Sequence, residues 1–214
     1  MGVETNLYLI KGPDYHGAAV PALEALLAGA GGAARPLFEK ACAVLAEQNR
    51  DYPWGRLHQV EGELEFGLSL IDGTAENLLH PDPSISDPGL VRRHHLLDTV
   101  CGTVIEGICV PWTLPFPPRH CVTCDSAVWE LYQASQRVEY VFTGEIYVRS
   151  RKAPFGIAEV NEFLDGDLVQ ELFDEMSKVS PPQHPRSKLT YFRNLYVLLE
   201  SACRDGYKIM ASYC

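Results

Sequence analysis

HQVEGELEFGLSL, residues 58–70, carries the cleanest periodicity in the chain. Val60, Leu64, Phe66, Leu68 and Leu70 alternate with Glu61, Glu63 and Glu65, and Gly62 sits among the apolar positions. A period of two sends successive side chains to opposite faces of a pleated strand, so this stretch predicts a half-buried strand with one wet, acidic face. Such a face is typical of an antiparallel sheet. Asp72-Gly73 then predicts a turn.

Outward from this stretch, residues 137–149 (RVEYVFTGEIYVR) read as a second amphipathic strand, aromatic and β-branched as strands favour. Residues 99–110 (TVCGTVIEGICV) hold one charge, Glu106, in an otherwise apolar run and read as a central, fully buried strand. Short strands are expected at 5–10 and 207–213, as neighbours that bring both termini into the sheet. Helices are expected over 18–28, 36–48, 88–96, 125–132, 157–164, 167–179 and 189–204, with Asp87-Pro88 capping and starting the third. The fold class that follows is α+β: a mixed, mostly antiparallel sheet of about five strands with helices packed mainly on one face. One domain is expected over 1–214, with a proline-rich mobile connection at 180–187.

The composition suits such a core. Of 214 residues, 46% are apolar and 10% aromatic, which excludes long disorder. Eighteen Lys and Arg against 28 Asp and Glu give a net charge of −10, which weighs against nucleic-acid binding and favours a basic protein partner. The first residues lack a signal-peptide core, and Asn6 stands where a myristoylation signal needs Ser or Thr. No stretch reaches the roughly 18 apolar residues of a membrane span. The seven cysteines, Cys42, Cys101, Cys109, Cys121, Cys124, Cys203 and Cys214, are odd in number and mostly in apolar surroundings. They fit reduced thiols in a cytoplasmic protein.

Five groups of residues offer chemistry. His120, Cys121 and Cys124 form a His-Cys-x-x-Cys fragment that can supply metal ligands, zinc first, or a dithiol redox pair; inert thiols are the plain alternative. Glu61, Glu63 and Glu65 on one strand face would repel one another and attract a cationic partner, unless they simply face solvent. Glu106 in its apolar run must be paired, protonated or placed at a polar cavity, because an isolated buried carboxylate is costly. His94 and His95 follow Arg92 and Arg93, and one of the two imidazoles can point into a site with Glu106. Trp54, Trp112 and Phe116 flank proline-rich loops and can anchor a partner at little entropic cost, or plug the edge of the core.

No nucleophile, metal or cofactor signature is complete. The reading is a non-catalytic binding protein that uses the acidic strand face and the Trp/Pro loops to engage a basic protein, as a toxin neutraliser would. The alternative is a small-molecule enzyme with a Glu106–His94/His95 acid–base pair, or a metal or thiol site at Cys121 and Cys124.

Overall fold

The computed structural model describes residues 5–51, 60–110, 121–123, 149–157, 160–178 and 186–213. It overturns the sheet-centred α+β expectation: 66% of the described residues are helical, and the antiparallel sheet is small. The chain divides into two compact units, one of Pro13–Ile108 with Phe155–Ile157, the other of Met1–Gly12, Cys109–Pro154 and Ala158–Cys214.

The first unit is helical. A π-helical stretch, Pro13–Ala19, runs into α1 (Val20–Leu27), and α2 (Ala34–Asp51) and α3 (Val60–Asp72) follow. Then α4 (Pro88–His95) passes through a second π-helical stretch, Leu96–Cys101, into α5 (Gly102–Ile108). Asp87 caps α4 as expected, accepting hydrogen bonds from the Gly89 and Leu90 amides at 2.8 and 3.4 Å.

Both central misreadings fall in this unit. Residues 60–70, expected as a strand, lie in α3. Positions 63, 67 and 70 share a helical face by i, i+4 and i+7 spacing. Gly67 abuts the Phe38 ring of α2, and Leu70 is fully buried. The pairing of α3 with α2 therefore runs through a glycine, which a count of large apolar residues cannot see. At about 100° per residue, Glu63 and Glu65 point about 160° apart on this helix, so the period-two face expected of them is not formed. Residues 100–106, expected in a buried strand, are buried throughout but helical. A continuous apolar run fits a buried helix as well as a buried strand, and here α5 packs along α2.

The end of α3 is fixed by chemistry that is visible in the sequence. Gly73 takes φ +74°, the left-handed conformation that stops a helix, and the Thr74 amide donates to Ser69 O at 2.9 Å. Arg92 of α4 donates to Leu70 O at 2.7 Å, which satisfies a last-turn carbonyl. Arg35 of α2 pairs with Asp72 at 2.5 Å and with Glu39 at 3.3 Å. Tyr15, in the first π-helical stretch, is fully buried; its hydroxyl donates to Phe155 O at 2.5 Å and accepts from Phe155 N at 3.1 Å. That pair of bonds ties residues 155–157 to this unit.

The second unit holds the sheet: β1 (Thr5–Ile10), β2 (Cys121–Thr123), β3 (Arg151–Lys152), β4 (Val160–Phe163) and β5 (Lys208–Tyr213), in the order β2-β1-β5-β4-β3 with every pair antiparallel. The first and last strands are neighbours, with Thr5 opposite Tyr213 and Ile10 opposite Lys208. Residues 160–163, expected as helix, are strand β4 instead. Asn161 lies opposite Ser212, and in this buried pair the Ser212 hydroxyl donates to Asn161 Oδ1 at 2.6 Å. Helices α6 (Gly166–Ser177) and α7 (Arg186–Asp205) belong to the same unit. Leu168, Leu172 and Met176 of α6 and Leu195, Leu198 and Leu199 of α7 pack with Leu7, Leu9 and Ile209 of the sheet. On the other side of the same strands, Tyr8, Ile10 and Met210 are also buried.

The segments expected at 111–118, 125–132 and 137–148 lie outside the described residues, as does most of the connection at 180–187, since Arg186 already opens α7.

Candidate functional site

Three imidazoles meet on the helical unit. The loop of residues 74–87 folds back onto α4 and sets the His80 ring against that of His94, with centroids 4.5 Å apart and planes inclined at 56°. His95 lies edge-on to His94 at 5.6 Å and rests against Phe66 of α3 at 5.7 Å. The backbone orients two of the three rings. His95 Nε2 lies 2.9 Å from Leu79 O and, as N–H, donates to it, which leaves Nδ1 with the lone pair. His80 Nδ1 lies 2.9 Å from Asp82 N and 3.2 Å from Asp82 O. It can accept from the amide or, in the other tautomer, donate to the carbonyl. All three rings are half-exposed. Asp82, beside them, is held below the usual carboxylate range, chiefly by the hydrogen bond it accepts from the Ser84 amide.

Sequence reasoning finds His94 and His95 but misses His80, whose one sequence signal is its place in the proline-rich loop HPDPSISDPG. Glu106, expected to work with them, is buried in α5 and engaged by an interaction of its own. Eleven residues of helical run separate it from His95, on the order of 15 Å along the axis.

The other candidates are dispersed. Glu65 is exposed and Glu63 half-buried on α3, while the Glu61 side chain, Trp54, Trp112, Phe116, His120 and Cys124 lie outside the described residues. Cys121 opens β2, where its backbone pairs with Leu7 of β1. The sheet unit carries a cleft of about 430 Å³ lined by Val169 and Gln170 of α6, Cys203 of α7 and Tyr207, among others. In the same unit Arg149 bridges Glu171 at 3.0 Å and Asp165 at 3.6 Å. The Asp165 side chain also caps α6, accepting from the Asp167 amide at 2.8 Å.

The thiols of Cys42, Cys101 and Cys203 are not poised as nucleophiles. Cys42, Cys101, Cys109 and Cys203 form no disulfide among the described residues. Burial, with the Glu63 charge adding to it, pushes Cys42 up to about 11. Burial pushes Cys101 up to about 12 against a smaller opposing effect of Arg93. Burial also raises Cys203, with Asp174 second. In each case the fold favours the neutral thiol. The stabilisation this gives is present below the unfolded thiol value of 9.0 and is lost as pH rises toward 11 and 12. Denaturant midpoints are therefore expected to fall between pH 8 and pH 10, and to fall less in Cys101→Ala. An equal fall in that variant would show that Cys101 does not contribute.

Among the described residues, no helix is long and apolar enough to cross a membrane. No protein-family model matches the chain, and neither does any curated protein or any solved structure.

Proposed function

We propose that the protein is a non-catalytic binding protein whose helical unit engages a basic protein partner. The observation that carries this is the segregation of charge along the chain. Residues 13–108 hold fourteen Asp and Glu against six Lys and Arg, a net −8 of the −10 in the whole sequence. Two of the six bases are turned to internal work: Arg35 in ion pairs with Asp72 and Glu39, Arg92 on the Leu70 carbonyl. Glu24, Glu47, Glu65, Glu76 and Asp98 are exposed. A surface of one sign speeds encounter with a partner of the other and disfavours acidic competitors. The acidic unit thus takes the role first expected of a strand face, with its charges spread over helices.

The test is affinity capture and identification of partners, followed by kinetics on the purified pair. Neutralising Glu65, Glu76 and Asp98 together, as Glu65→Gln, Glu76→Gln and Asp98→Asn, is expected to slow association roughly tenfold at low salt. The difference should shrink as salt is raised. A captured partner that is acidic, or an association rate indifferent to both the substitutions and salt, would sink the proposal.

A further inference from the structure

We infer that His80 and His94 form a binding site for a divalent first-row transition-metal ion. Three observations carry it. The two rings come from different elements, a loop and a helix, and touch at 4.5 Å. His94 makes ring contacts with His80 and His95, and no hydrogen bond of its imidazole occurs among the described residues. Its nitrogens are open to a ligand. His80 Nδ1 stands 3.2 Å from the Asp82 carbonyl, the arrangement by which a metal-binding histidine donates its second N–H to a carbonyl and frees Nε2. The tautomer that accepts from the Asp82 amide instead is the metal-free alternative.

The ligand chemistry follows from the donors. Imidazole suits nickel, copper, cobalt and zinc, whereas magnesium and calcium require oxygen. Among the described residues no group of three or more His, Cys, Asp or Glu is arranged to hold a metal, so the site rests on two ligands from these residues, with water to complete the coordination. His95 does not add a third ligand, since no group of three is arranged to hold a metal among the described residues, and its ring is held by Leu79 O and Phe66. Metal bound in this way ties the loop of residues 74–87 to α4. It stabilises the native state because the unfolded chain does not hold the two rings together.

The inference does not depend on the identity of a basic partner. Its test is calorimetric titration of the full chain with nickel(II), in a Cys121→Ser/Cys124→Ser background so that thiols do not compete. One site is expected. His80→Ala and His94→Ala are each expected to weaken it roughly tenfold or more, and His16→Ala to leave it unchanged. Melting temperature should rise with nickel in the parent and stay fixed in the two variants, and cobalt(II) should bind without a thiolate charge-transfer band. Both histidines are half-exposed, so the variants should fold, and a metal-free melt checks that they do. Uptake only at millimolar nickel, as for isolated surface imidazoles, would overturn the site. So would affinity unchanged by either histidine substitution.

Discussion

Gly107→Ala is expected to destabilise the helical unit by about 2–3 kcal/mol or more, although alanine is the better helix former. The two effects have opposite signs, and their sizes decide the outcome. In a free helix the change from glycine gains about 1 kcal/mol. At Gly107, however, a Cβ would meet Ala41 of α2, with the Ala41 Cα only 2.6 Å away. That atom is backbone and cannot rotate aside, so α5 and α2 must move apart. Moving them opens space around Ile105 and Val104, both fully buried. Gly62, exposed in α3 with nothing near its missing Cβ, is the control. Gly62→Ala is expected to be neutral or to stabilise by up to about 1 kcal/mol. The check is denaturant unfolding of both variants. A stabilised Gly107→Ala would mean that α2 and α5 do not cross at this glycine.

The same crossing explains which parts of the fold were legible in the sequence. The elements at 88–95, 166–177, 186–205 and 208–213 were readable from local signals: an Asp cap at 87, helical spacing of Leu168, Leu172 and Met176, and the Asp205-Gly206 stop. Residues 60–72 were not readable from periodicity, because the alternation of Glu with Leu and Phe satisfies a strand template by coincidence. A composition signal was there. The stretch VEGELEFGLSLID has only Val60 and Ile71 as β-branched residues, and its Glu and Leu favour helix. Gly62 and Gly67 argued against a helix only if glycine is scored as a breaker. Gly67 is better understood as the place where two helices approach.

The candidate site divides the same way. His94 and His95 lie on a helix that the sequence announces. His80 reaches them only because the loop after α3 returns to α4, a tertiary event with no local signature. The reverse holds for Glu63 and Glu65, neighbours on one face of the expected strand that the helix turns about 160° apart. The charge of a whole segment is independent of its secondary structure, while the facing of Glu63 and Glu65 is not. Net charge depends on which residues are present, not on which way each one points.

The second large effect is expected at Phe38, where the opposite kind of neighbour makes rescue possible. The Phe38 ring is fully buried in α2 and lies against Gly67 of α3. Phe38→Ala is expected to cost about 3–5 kcal/mol, the transfer of the ring to solvent plus the cavity left beside Gly67. Gly67→Ala alone should cost about 1–3 kcal/mol, since the new methyl would overlap the ring. The atoms in the way are side chain, so a smaller residue at 38 can make room. Phe38→Leu with Gly67→Ala is therefore expected to cost at least about 1 kcal/mol less than the two single changes summed, measured as a double-mutant cycle in denaturant. No such rescue is expected at Gly107: Ala41→Gly removes a Cβ but leaves the Cα in place. If the Phe38/Gly67 cycle closed additively, α3 would not pack on α2 through this pair, and the helical placement of residues 60–72 would lose its main support.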